Sequence, residues 1–290
     1  MHSVAFRRFK SEIGQANHFL ITIMVGLDAV EDGAVKRDDF HATWNPKNTT
    51  ASVRRSKQYA LKSALAWTVD NLDMYLRLAN RLPRLYSEKE SQEIAKTKHS
   101  VYQKFQCIID NHPEIDACLL AYVDLLICWR NNTTHFDAEN ILLPVSQRYF
   151  SKLKENKATD HYCDTYNLNI SAMIDRFSKG ACPTFKEVAT LINATIHFVE
   201  FLDNLLLQSI DQPQYLESQL MILLKRDPKN VSIFSRHNTT VESREKRIKQ
   251  LLITAGLCED FFNDAAHEYL HSIANMSEEE FIKQASPKLN

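Results

Sequence analysis

The sequence predicts an all-α protein, and three observations carry that reading. The 290 residues include five glycines, at positions 14, 26, 33, 180 and 256, where average usage of about 7% would give roughly twenty. Dinucleotide-binding GxGxxG loops, P-loops and GxSxG elbows cannot be written from these five, and Asp32-Gly33 is the one hairpin-type dipeptide. Leu61, Leu65, Val69, Leu72 and Leu76 recur every three or four residues, the period of a helix face. Residues 117–129 are apolar all round, with Asp124 as the single charge, which is how a helix enclosed by other helices reads.

The elements follow in order. A first helix is expected over 11–30, then a loop marked by Trp44, Pro46 and Asn48. The leucine stripe predicts a long helix over 52–82, stopped by Pro83. Another is expected over 90–110. Asn111-His112-Pro113 reads as a helix start, because proline suits the first turn and Glu114 suits its dipole. The buried helix 117–129 then ends or bends at 130–135, where Asn and Thr, poor helix formers, replace the apolar run. Pro144 opens a new helix. Residues 152–169 are polar and read as containing loop, followed by a short helix over 169–178. Gly180 and Pro183 punctuate the chain. Thr184 and Glu187 form a capping box for an amphipathic helix to about 209. Asp211-Gln212-Pro213 marks the domain boundary, giving a helical bundle over 1–210 and a helical extension over 211–290. The extension is expected to hold helices over 215–225, 241–254 and 259–274.

Composition bounds the class. A 44% hydrophobic, 24% charged chain is globular rather than disordered. The net charge of −1 excludes a uniformly basic duplex binder but allows a local basic patch. None of the six cysteines forms a CxxC pair; they read as reduced thiols in a cytoplasmic protein. The apolar stretch 19–27 is too short to span a bilayer, so no membrane role is expected.

The sequence Leu125-Leu126-Ile127-Cys128-Trp129-Arg130-Asn131-Asn132-Thr133-Thr134-His135 places an arginine, four residues and a histidine directly after the buried helix. By composition, Arg followed by Asn and by His at this offset is expected about 0.04 times. The segment resembles the motif of the HEPN superfamily: Arg, four to six residues, then His, commonly with Asn, Asp or His after the Arg. The superfamily consists of helical proteins, many of them metal-independent ribonucleases. The resemblance covers the motif and its helix; beyond those it is that of a generic helical bundle over 1–210.

The resemblance implies an endoribonuclease without metal or other cofactor, acting on tRNA or mRNA in phage defence, as a toxin or in a stress response. A histidine moves protons near neutral pH, so His135 would activate the ribose 2′-hydroxyl. Arg130 would hold the phosphate and offset the charge that develops on it. Asn131 would orient either partner. The expected products carry a 2′,3′-cyclic phosphate and a 5′-hydroxyl. On an ideal helix Arg130 and His135 stand about 140° apart, whereas Asp124, Asn131 and His135 fall near one line. Family members commonly solve this by lining one cleft with the motifs of two copies. The resemblance therefore implies a homodimer, with Asp124 as an orienter of the histidine or of its partner. HEPN toxins often carry Tyr two residues after the histidine; here Asp137 stands there, and the chain is about twice their size. A larger defence or stress nuclease, kept silent by an antitoxin or switched on by an activator protein, fits better.

Two other features compete for attention. His267-Glu268-Tyr269-Leu270-His271 fits the HExxH signature of zinc peptidases. Its histidines lie opposite the apolar stripe of Phe262, Ala266, Tyr269 and Ile273, and only Glu278, Glu279 and Glu280 follow as third-ligand candidates, with no metzincin continuation, so no metal site is expected. Between 225 and 249 eight cations face three acids. Lys225, Arg226, Lys229, Arg236, Arg244 and Arg247 are the candidate RNA contacts. The alternative to an enzyme is a non-catalytic helical module that binds RNA or a protein, in which Arg130 pairs with Asp137 or caps carbonyls. A zinc peptidase is the remaining alternative.

Overall fold

The computed structural model describes residues 2–36, 41, 43–98, 100–134, 140–156, 158–234 and 240–285, and all regular structure among them is helical. The all-α prediction holds. The chain divides into two compact units, one formed by Met1–Arg8, Tyr75–Lys96 and Glu200–Asn290, the other by Phe9–Met74 and Thr97–Val199.

In place of one helix over 11–30, the chain forms α1 (Val4–Ile13) and α2 (Ala16–Glu31). The break falls at Gly14, where a Cβ would stand 2.7 Å from the Lys10 carbonyl oxygen. Only a glycine permits that approach. The stretch Val4–Glu31, 28 residues long and containing an 18-residue window of mean hydropathy 1.3, is apolar enough to cross a membrane by length and composition. This is longer than the stretch the sequence pattern suggested. Just 17% of its apolar window is buried.

Helix α3 (Thr49–Ala79) buries the leucine stripe completely and ends before Pro83. The helix expected over 90–110 is two, α4 (Glu88–Lys96) and α5 (Val101–Asn111). Each carries its own start signal. Ser87 and Glu90 form a reciprocal capping box, and the Ser100 side chain accepts from the Gln103 amide. Pro113 lies in the turn before α6 (Ala117–Thr134), whose first amides are capped by Asp116. Helix α7 (Pro144–Asn156) starts at its proline. Within the polar stretch read as loop lies a short helix, α8 (His161–Tyr166), capped by Asp160. Helices α9 (Ile170–Ser178) and α10 (Phe185–Ser209) follow as the sequence indicates, the second opened by the Thr184–Glu187 capping box.

Helix α11 (Gln212–Arg226) begins behind Asp211, which caps it. A 3₁₀ turn (Pro228–Phe234), α12 (Val241–Thr254), a second 3₁₀ turn (Glu259–Phe261), α13 (Asp264–Asn275) and α14 (Glu278–Ala285) complete the chain. Helix α14 extends the fold beyond the last expected helix and is anchored by Phe281, fully buried against Phe234.

In the second unit, α6 is the centre. All ten residues from Leu120 to Trp129 are buried, and α5 and α7 pack on it. That enclosure is the packing consequence of a sequence apolar on every side. It also fixes where the motif emerges, because the next residue after Trp129 is Arg130.

Candidate functional site

Arg130 to Thr134 occupy the last turn of α6. The helix runs through Arg130 and ends at Thr134, inside the stretch 130–135 where the sequence places its end or bend. The hydroxyls explain how Thr is accommodated there: Thr133 Oγ1 donates to the Trp129 carbonyl at 2.9 Å and Thr134 Oγ1 to the Arg130 carbonyl at 2.7 Å. The indole of Trp129 donates to the Ala181 carbonyl at 2.9 Å, which locks the rotation of α6 just before the motif.

Arg130 is turned toward α3. Its Nη2 donates to Asp70 Oδ1 at 3.0 Å, and its Nη1 donates to Asn131 Oδ1 at 3.0 Å. Its Nε is buried and has no hydrogen-bond partner among the described residues. The side chain is 20% exposed and that of Asp70 is 66% exposed. The guanidinium is therefore held on two edges and reachable from solvent. Asn131, Asn132 and Thr133 around it are half-buried and Thr134 is exposed.

Asp124 stands apart from this pair. It is fully buried; its Oδ2 accepts from the Leu143 amide at 2.7 Å, and its Oδ1 accepts from the Cys128 thiol at 3.5 Å. Burial pushes its carboxyl above the usual range, against the Leu143 hydrogen bond. Its carboxylate fastens the segment that leads into α7. His135 and Asp137 lie outside the described residues. On their two flanks Asn132 bonds the main chain of Asn140 in both directions, at 3.2 and 2.9 Å. A cavity of about 680 Å³ opens at this end of α6. Asn132, Gln147, Lys154 and Ser171 line its polar side, and Ile141 and Phe177 its apolar side.

The structure thus joins Arg130 with Asn131 and adds Asp70, which the sequence reading did not select. Asp70 is 60 residues away on another helix, exposed, and carries no local signal. Asn132, inside the motif, has a positioning bond that its neighbours in sequence do not reveal.

The basic segment divides. Lys225, Arg226, Lys229 and Arg247 are exposed, with Arg247 Nη2 also donating to the Ser232 carbonyl at 3.1 Å. Arg244 is not on that surface: it is 6% exposed, with Nε and Nη1 buried and unbonded among the described residues. It occupies the same face of α12 as the buried Ile248 and Leu252, so its guanidinium cannot reach a phosphate backbone. Arg236 lies outside the described residues.

The HExxH histidines turn to a neighbouring helix. Nδ1 of His267 lies 3.5 Å from Glu245 Oε1, and Nδ1 of His271 lies 3.2 Å from its Oε2. Among the described residues no group of three His, Cys, Asp or Glu is arranged to hold a metal ion. Comparisons with protein-family models, with curated proteins and with solved structures find no match to this chain.

Proposed function

We propose that this protein is a HEPN-like, metal-independent endoribonuclease of the cytoplasm, acting in defence or stress on tRNA or mRNA. The carrying observation is the guanidinium of Arg130, clamped by Asp70 and Asn131 at the accessible end of a buried helix, five residues before His135. A planar cation fixed in this way is a phosphate-holding group in waiting. In the proposed reaction it binds the scissile phosphate and offsets the charge that builds on it. His135 takes the proton from the 2′-hydroxyl as the oxygen attacks phosphorus, the bond to the 5′-oxygen breaks, and the departing oxygen gains a proton from solvent while His135 returns its own to solvent. The products are a 2′,3′-cyclic phosphate and a 5′-hydroxyl. The mixed polar and apolar cavity beside Asn132 is of a size and character suited to a nucleobase. Exposed Lys225, Arg226, Lys229 and Arg247 supply sequence-independent phosphate contacts. In this reading the active species is a homodimer, and an antitoxin or activator protein governs it.

The test is incubation of the purified protein with tRNA and with a single-stranded RNA in EDTA, beside the Arg130→Ala and His135→Ala variants. Cleavage by the unaltered protein alone, leaving cyclic phosphate ends, is the expected result. Equal cleavage by all three proteins refutes the assignment. RNA binding that survives both substitutions without cleavage favours the second reading, a non-catalytic RNA-binding module, which the exposed cations of α11 and α12 would serve.

A further inference from the structure

We infer that the cavity at the end of α6 is a binding site for one unpaired nucleoside phosphate, with the base against Phe177 and Ile141 and the phosphate at Lys154. The cavity is bounded by the last turn of α6, by α7 and by α9. Its volume of about 680 Å³ falls within the roughly 300–1,000 Å³ of small-molecule sites. Three kinds of group line it, and together they match the parts of a nucleotide.

The first is an aromatic platform. Phe177 is half-buried in the cavity wall. Its ring meets that of Trp129 edge to face, with centroids 5.9 Å apart, and Trp129 is itself fixed by the Ala181 carbonyl. The platform is therefore in place before a ligand arrives, which lowers the ordering cost of stacking a base. Ile141, also lining the cavity, is 71% exposed, an apolar side chain that a flat ring would cover. The second is an amide. Gln147 Nε2 donates to the Leu142 carbonyl at 2.7 Å. That bond holds the side chain and leaves its second N–H and its carbonyl oxygen without a partner among the described residues. A donor beside an acceptor is what the edge of a nucleobase pairs with.

The third is a positive end. Lys154 is the one charged side chain among the described residues that line the cavity, and it is exposed. Ile170 and Ser171, in the first turn of α9, line the same cavity. Asn169 caps the Ala172 amide, and the two amides before it lie at the positive end of that helix. A plain carboxylate with an apolar tail would use the cation but leave the Gln147 amide unbonded, so the lining favours a nucleotide.

Arg130 faces α3, and Asn132 follows it by two residues, about 200° around α6. The cavity and the guanidinium therefore lie on different sides of the helix. In RNA the nucleotide held here would be a neighbour of the one cleaved, a recognition position rather than the cleavage position. That consequence alone rests on the ribonuclease reading; the binding site does not.

Isothermal titration of the full chain with AMP, beside adenosine and ribose 5-phosphate, is the test. AMP should bind about fivefold more tightly than adenosine at low salt, the scale of one exposed ion pair. It should bind at least about tenfold more tightly than ribose 5-phosphate, the scale of one stacked base. Lys154→Ala should erase the difference between AMP and adenosine. Ser171→Trp, which fills the cavity from an exposed position, should abolish binding of both. Far-UV circular dichroism and thermal unfolding should match the unaltered protein in both variants. A single-stranded oligoadenylate that competes with AMP, while its duplex with oligouridylate does not, assigns the site to RNA; failure to compete assigns it to free nucleotides. No AMP binding at millimolar concentration overturns the inference. So does equal binding of AMP and ribose 5-phosphate, tighter binding of decanoate, or AMP binding unmoved by both substitutions. The two readings fail separately: AMP bound by a protein that leaves RNA intact refutes only the ribonuclease, and RNA cleavage without AMP binding refutes only the nucleotide site.

Discussion

Asp124→Ala and Asp124→Asn, compared at two pH values, test what the buried carboxylate does. Alanine leaves the Leu143 amide without its acceptor, at a cost of about 1–3 kcal/mol for a buried orphan donor. A small cavity adds to that, for a total of about 2–4 kcal/mol. Asparagine keeps an oxygen on the Leu143 amide and removes the charge, so its cost near neutral pH should be under about 1 kcal/mol. The pH dependence follows from the direction of the shift. Burial raises the Asp124 carboxyl in the folded state. Its contribution is therefore complete below the unfolded value of about 3.9 and fades as pH rises through the folded value. Stability of Asp124→Asn relative to the unaltered protein should accordingly improve between about pH 4 and pH 7. Urea unfolding followed by circular dichroism at both ends of that range measures it. If asparagine is as damaging as alanine near neutrality, the negative charge has a cationic partner and the anchoring account is wrong. RNA cleavage adds a second readout. An anchor predicts near-normal activity for asparagine, whereas a charge that orients the histidine predicts a loss of about 10²-fold or more.

Three further outcomes are expected. Asp70→Asn should free Arg130 and tighten RNA binding a few-fold, read by fluorescence anisotropy, with stability changed by less than about 1 kcal/mol because the acid of the pair is largely exposed. Arg244→Met should raise stability by about 1–3 kcal/mol in urea melts, since it replaces a buried guanidinium carrying two unbonded nitrogens by a side chain that packs. Asp160 should govern the acid limb. Burial opposes its ionised form, but the Cys163 amide and the hydroxyls of Tyr149 and Tyr122 outweigh that and hold the carboxyl below its ordinary range. Its stabilisation is present above about pH 4 and lost as pH falls through the folded value, so Asp160→Asn should flatten acid unfolding.

The parts of the fold legible in the sequence are those set by local chemistry. The stripe on α3, the enclosed α6, Pro144 and the Thr184–Glu187 box each specify their helices with residues a few positions apart. Helix α14 was not among the expected helices, although its Ser277–Glu280 capping box is a local signal of the same kind. Helix α8 was not legible. At six residues it is too short for periodicity, and its cap, Asp160, is held by tyrosines 38 and 11 positions away. The site divides in the same way. Arg130 and Asn131 meet because they are adjacent. Asp70 reaches them only through the packing of α3 beside α6, and Arg244 is buried for a tertiary reason that a count of cations cannot register.

The pair of Asp70 and Arg130 bears on how the proposed site would work. A carboxylate oxygen occupies the guanidinium edge that a phosphate oxygen would use. An ion pair whose acid is 66% exposed contributes about 1 kcal/mol or less. A phosphate brings more charge, and with Asp70 displaced it can take two donors at once. Exchange therefore favours the phosphate at modest cost. Between substrates, Asp70 keeps the guanidinium aimed, while Asn131 holds its other edge. In the proposed site the arginine would thus be positioned before RNA arrives, which would remove an ordering cost from the binding step. The same reasoning separates two substitutions that resemble each other in charge. Asp70→Asn relaxes the aim but frees the edge, so affinity should rise while turnover falls. Arg130→Lys keeps the charge but loses the fork, so affinity should persist in part while the stabilisation of the developing phosphorane is lost.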